Sequence, residues 1–237
     1  MTNIKNKPVC VIVGVGPGNG AAFAHRFASE GYRVALLARS TDFITEFAEQ
    51  LDDARAYACD ITDATAVTLT FGAVGEELGK IEVLIYNPGV GVWGNVEEIS
   101  IDDFEASWRI NVLGALLASK QVIPAMKIRQ HGSIIFIGAT ASRRGAARAV
   151  AFASAKAAQK SLAESMARHL WPFGTHVALV ILDGVVDTPA TRKMFSDKPD
   201  NYFIQPDAVA DNVLRLTQQP PSAWSFEVEA RPFGEVW

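Results

Sequence analysis

Three glycines spaced Gly14-x-x-x-Gly18-x-Gly20 lie between the apolar run Val9–Val13 and an alanine-rich stretch of helical period. At a strand-to-helix turn, glycines let backbone N–H groups close on a ligand, and the helix N-terminus favours negative charge. The chemistry implied is pyrophosphate binding, with Gly14, Gly18, Asn19 and Gly20 as the cradle. A P-loop is excluded, because Asn19-Gly20-Ala21 supplies neither the lysine nor the hydroxyl it needs. A methyltransferase-type Gly16-x-Gly18-x-Gly20 is disfavoured, because Gly14 stands where that site wants a carboxylate. The next strand candidate ends Ala38-Arg39-Ser40, with no acid for ribose hydroxyls and a guanidinium available for a 2′-phosphate. NADP(H) is therefore expected over NAD(H), with Arg39 and Ser40 at its adenosine end. His25, His131, His169 and His176 have no metal-ligand spacing between them, so no metal site is expected.

The elements that must position these residues follow from periodicity. Strand candidates are Pro8–Val13, Arg33–Ala38, Arg55–Cys59, Val83–Tyr86, Ser133–Ile137, His176–Ile181 and Ser225–Ala230. Between them, helical patterns run over Gly20–Ser29, Thr41–Leu51, Ala64–Leu78, Ile101–Lys127, Ala149–Trp171 and Pro206–Gln218, the last with Pro206 at N1 and Asp207 in its first turn. Continuous rather than alternating apolar strands imply burial on both faces, hence a parallel sheet between helical layers. Strict β-α alternation predicts an α/β, Rossmann-type doubly wound sheet, with ligands at the carboxyl ends of its strands. No repeat or linker interrupts the chain, so residues 1–237 read as a single domain, with about 190–205 as a substrate-loop segment.

In this frame the chain resembles the short-chain dehydrogenase/reductase family along nearly its whole length. The glycine loop matches the family's cofactor loop. Cys59-Asp60-Ile61-Thr62-Asp63 resembles the segment in which Asp60 and Ile61 would border the adenine. Tyr86-Asn87-Pro88-Gly89 resembles the family's Asn-Asn-Ala-Gly at the fourth strand end, adding Asn87, Pro88 and Gly89 to the expected cofactor contacts. Asn111 fits the asparagine that holds a water in the family's proton relay. Asp183-Gly184-x-x-x-Thr188-Pro189 resembles the segment whose Thr188 would contact the nicotinamide amide, with Gly184 beside it.

The catalytic centre departs from that pattern. The family sets Tyr-x-x-x-Lys on a helix, where one turn brings the ammonium beside the phenol and lowers its pKa. The matching segment here is Phe152-Ala153-Ser154-Ala155-Lys156, and none of the four tyrosines has a lysine four residues on. The family's serine position falls on Ala139, with Thr140 next to it. A phenyl ring neither donates nor accepts a proton, so the family's usual general acid is lost. Lys156 keeps the implied task of bonding the nicotinamide ribose. Thr140, the water beside Asn111, and Asp183 are the candidates for proton delivery, Asp183 through a pKa raised by desolvation. Trp93 reads as a pocket wall or packing, and Arg143 and Arg144 as facing either an anionic substrate group or solvent.

Composition bounds the partners. The 237 residues are 49% hydrophobic, with 22 basic against 26 acidic side chains, so a nucleic-acid partner is not expected. The apolar run after Lys5 and Lys7 is too short for a signal-peptide core, and no stretch is long enough for a membrane span. Cys10 and Cys59 both lie in strand-like runs, so a disulfide is not expected and a reducing, cytoplasmic location is. The alanine-rich stretches Ile101–Lys127 and Ala149–Trp171 resemble the family's subunit-pairing helices, which implies a homodimer or homotetramer. The expected function is an NADP-dependent oxidoreductase of a small carbonyl, imine or conjugated alkene, with non-standard proton delivery. A catalytically impaired NADP(H)-binding sensor or assembly protein is the alternative.

Overall fold

Apolar strands need helical cover on both faces, and the chain supplies it. In the computed structural model, which describes residues 7–89 and 91–234, the sheet strands are β1 (Val9–Val13), β2 (Arg33–Ala38), β3 (Ala54–Ala58), β4 (Ile81–Tyr86), β5 (Gly132–Ala139) and β6 (Thr175–Leu182). A short pair, β7 (Val185–Val186) and β8 (Phe203–Ile204), stands apart, and β9 (Glu227–Ala230) completes the sheet. Lys5 and Val90 fall outside the described residues. The seven sheet strands run parallel in the order β3-β2-β1-β4-β5-β6-β9. This is the Rossmann-type doubly wound arrangement. Register sets Val13 beside Leu37 and Tyr86, and Tyr86 beside Phe136, so four carboxyl ends open on one edge.

Alternate side chains of each strand feed two cores. Val9, Val11 and Val13 pack with Phe71 and Val74 of α3 (Ala64–Glu77), Ala118 and Val122 of α5 (Gly114–Arg129), and Ala163 of α6 (Val150–Leu170). Cys10 and Ile12 point the other way, to Phe23 and Phe27 of α1 (Asn19–Ser29), Ile44 and Phe47 of α2 (Asp42–Ala48), and Val213 of α8 (Pro206–Thr217). Each large apolar side chain so buried contributes about 1.5–3 kcal/mol.

Two sequence expectations need correction. The continuous helix over 101–127 is broken into α4 (Ile101–Trp108), a π-helical turn over Arg109–Leu113, and α5. There Gly114 N–H donates to Arg109 O, five residues back, and the wider turn releases carbonyls to side chains. Ile110 O accepts the Tyr86 hydroxyl and Asn111 O accepts Gln159 Nε2 at 2.7 Å. Tertiary donors on β4 and α6 hold a break that periodicity does not reveal. The second concerns residues 190–205, for which sequence offers no element. They carry most of α7 (Pro189–Met194), capped by the Thr188 hydroxyl accepting from Thr191 N–H at 3.1 Å, and the strand β8. Elsewhere the strand bounds differ by one or two residues.

Candidate active site

The carboxyl edge opens into a cleft of about 1570 Å³. One part of its wall is the glycine loop. Gly18 has φ 125°, and a Cβ there would lie 2.8 Å from Thr188 Cγ2. A Cβ on Gly20 would meet Val15 Cα at 2.7 Å. Both positions therefore exclude larger residues, by conformation at Gly18 and by close approach at Gly20. Asn87 Nδ2 donates to Gly14 O at 2.8 Å, tying the end of β4 to the loop. Asn19 Oδ1 at the start of α1 is buried without a hydrogen-bond partner, an acceptor that a bound dinucleotide would satisfy. The loop and helix start thus fit a dinucleotide.

Gly14, Asn19, Arg39, Ser40, Asp60, Ile61, Asn87, Pro88 and Gly89 all line this cleft. Gly18, Gly20 and Thr188 are not among its lining residues, and Gly18 lies against Thr188. Asp60 is held ionised below the usual carboxylate range, chiefly by the Thr62 N–H (2.9 Å) and hydroxyl (2.8 Å), with Arg39 adding to the effect. Among the described residues, the lining carries the basic side chains Arg39, Arg109, Arg144 and Lys156 against one acid, Asp60. A cationic cleft in a chain of net charge −4 favours an anionic ligand.

Another part of the wall gathers Ala139, Thr140, Phe152, Lys156 and Gly184 around one opening. Phe152 and Trp93 pack as tilted rings with centroids 5.8 Å apart, so Trp93 is both packed and cleft-lining. Lys156 Nζ is buried and donates to Ile137 O at 2.9 Å, Gln159 Oε1 at 3.1 Å and Pro88 O at 3.3 Å. Burial pulls its pKa down to about 7. Asn111 is buried behind this opening, its Nδ2 donating to Ser107 O at 2.8 Å.

Asp183 reverses its sequence expectation. It is buried at the end of β6, and burial alone would raise its pKa. The Thr140 hydroxyl donates to Oδ1 at 2.5 Å, Arg231 of the segment after β9 pairs with Oδ2, and Arg144 Nη2 stands 3.4 Å from Oδ1. Together these outweigh desolvation, and Asp183 stays a carboxylate below the ordinary range. A group so held is no proton donor near neutral pH, contrary to the acid role expected of it.

A family model described as short chain dehydrogenase matches residues 8–199. The chain belongs to the short-chain dehydrogenase family. An uncharacterized oxidoreductase of Staphylococcus saprophyticus is 26% identical across 98% of this chain and 100% of its own length. A solved short-chain dehydrogenase from Rhodopseudomonas palustris is 31% identical, covers 95% of this chain and 99% of its own, and superposes with a TM-score of 0.83. A metagenomic short-chain oxidoreductase solved in complex with NADP is 28% identical, with coverages of 95% and 97% and a TM-score of 0.83.

In this member of the family, sequence reading passed over one residue packed against Lys156, Gln159. Its side chain is fully buried, with Oε1 on Lys156 Nζ and Nε2 on the Asn111 carbonyl. The signal available was its position three residues after Lys156, on the same helical face. It bridges Lys156 and Asn111, the residue beside which the family resemblance sets a relay water.

The lysine yields a pH test. With a folded pKa near 7 against about 10.4 unfolded, the folded chain binds less proton between those values, so raising pH adds stability there. Relative to Lys156→Met, the wild type is expected to gain up to about 1.4 kcal/mol per pH unit over that window. Urea unfolding of both proteins at about pH 7 and about pH 9 reads the difference; a flat difference would mean an ordinary lysine.

Proposed function

We propose that the chain is an NADP-dependent oxidoreductase acting on a small carbonyl, imine or conjugated alkene, with proton delivery that does not use a tyrosine. The observation that carries this is one cleft lined by the glycine loop and by Arg39, Ser40 and Asp60, in which the ring facing Lys156 is the phenyl of Phe152. Bound there, the nicotinamide would supply or accept the hydride. Gly14, Asn19 and Gly20 would hold the pyrophosphate, Arg39 and Ser40 the 2′-phosphate, Asp60 and Ile61 the adenine. Lys156 would hold the nicotinamide ribose, with Asn87–Gly89, Gly184 and Thr188 shaping that end. Thr140 is the hydroxyl on the wall; its proton goes to Asp183 behind it, so its oxygen is left to accept from a substrate hydroxyl or to hold an ordered water that delivers the proton. An iminium or an alkene polarised elsewhere lessens the demand for a phenol, because the proton goes to a different atom.

The cofactor half is tested directly by titration. Arg39→Ala is expected to weaken NADPH binding about tenfold and leave NADH binding unchanged. Equal losses for both nucleotides would remove the 2′-phosphate role, and failure of wild type to bind either would reject the dinucleotide reading.

One observation favours the alternative of a catalytically impaired NADP(H)-binding sensor or assembly protein. The Gln159 amide spans Asn111 O and Lys156 Nζ, and an amide does not pass a proton along as a water does. In either reading we take residues 1–237 as one domain with about 190–205 as its substrate-loop segment. The partner is then a small molecule, and the assembly a homodimer or homotetramer. Trp108 and Leu116, exposed on α4 and α5, support pairing through that face. Cys10 and Cys59 are free and buried, which supports a reducing, cytoplasmic setting. No described helix is long and apolar enough to cross a membrane.

A further inference from the structure

The two consecutive arginines after β5 face different tasks. Arg143 is consumed by β9: its Nη2 meets Glu227 Oε1 at 2.5 Å and its Nη1 pairs with Glu229. Arg144 turns into the cleft, where its side chain is 63% exposed. Its backbone is fixed, since Arg143 and Arg144 N–H both donate to Thr140 O, at 3.0 and 3.2 Å. Among the described residues its one close acid is Asp183, whose two oxygens are already taken at shorter range by Thr140 and Arg231. The 3.4 Å contact to Arg144 is therefore a long, surplus one. The cleft that Arg144 lines is also walled by the apolar side chains of Trp93, Phe152, Met194 and Phe195.

We infer that Arg144 anchors a carboxylate of the substrate, so that the preferred substrates are keto acids, or their reduced or imine counterparts, on an aryl or alkyl skeleton. A guanidinium presents paired N–H donors that match a carboxylate. Asp183 lies just behind it, so a monoanion is accommodated better than a dianionic phosphate. The inference rests on the reading of this cleft as the reaction site and adds the substrate class.

The test uses benzoylformate, 3-benzoylpropionate and 4-benzoylbutyrate, each against its methyl ester, with phenyl phosphate as a dianionic probe. Binding is followed by calorimetry with the full-length chain, with and without saturating NADP⁺, which permits no reduction of the ketone. At least one acid is expected to bind about tenfold more tightly than its ester, because a charge-assisted pair replaces none. Arg144→Gln should remove that preference, and Arg143→Gln, which changes net charge equally, should retain it. Thermal melts verify that both variants are folded. Acids no tighter than esters, a preference that survives Arg144→Gln, or Arg144-dependent binding of phenyl phosphate tighter than any acid would each overturn the inference. If NADP⁺ fails to bind but the Arg144-dependent preference persists, the anion site stands and the dinucleotide reading falls.

Discussion

Phe152→Tyr is expected to raise NADPH-dependent ketone reduction by about 10²-fold or more, and adding Ala139→Ser to raise it further. A positioned general acid contributes about 10²–10⁴-fold, and the site already holds the lysine one helical turn from the position where the phenol would stand. The Phe152 ring lines the cleft, packs against Trp93, and has Lys156 Nζ 5.9 Å from its centroid. An ammonium at that range lowers the pKa of a phenol introduced there. Ala139 is half-buried on the adjoining wall, at the end of β5, where a serine hydroxyl would reach the same opening. Initial rates of NADPH oxidation across a carbonyl panel measure the effect. Should both variants bind NADPH and stay at the wild-type rate, the oxidoreductase reading would yield to the sensor reading.

The second large effect concerns stability. Asp183→Asn is expected to destabilise the fold by about 3 kcal/mol, the low end for removing one partner of a buried ion pair. The side chains of Asp183 and Arg231 are only 5% and 12% exposed, so this pair is not screened as a surface bridge would be. The variant takes the counter-charge from Arg231 and the acceptor charge from the Thr140 hydroxyl, and it loosens the join between β5, β6 and the segment after β9. The pH dependence has a definite sign. Asp183 titrates lower in the folded chain than in the unfolded one, so its contribution is complete above the unfolded pKa of about 3.9 and disappears as pH falls through the folded value. The gap between wild type and variant, read from urea unfolding, should therefore be constant near neutrality and narrow only below about pH 4. A variant as stable as wild type at pH 7 would mean that the pair contributes no net stability.

Much of the site was legible from the chain alone. The glycine loop could be read because its constraints are local: glycine sterics at Gly18 and Gly20 show as glycines wherever the turn occurs. The sheet was legible because double-sided burial leaves a continuous apolar run, such as the fully buried Val9–Val13. The loss of a phenol was legible because a Tyr-to-Lys spacing of one helical turn is a count along the chain, and no tyrosine meets it. The break at Arg109–Leu113 was not, since the donors that hold it, on Tyr86 and Gln159, come from other elements.

What the sequence by itself determined is the parallel α/β sheet, the glycine cradle with Arg39 after the second strand, and the missing phenol at Phe152. What only the tertiary structure decided is the ionisation of Asp183, the clamp of Gln159 on Lys156, and which of Arg143 and Arg144 faces the cleft. The reason is that a titratable group answers to its neighbours in space. Those of Asp183 lie 43 and 48 residues away, at Thr140 and Arg231, and only the crossovers between parallel strands bring them within hydrogen-bond reach.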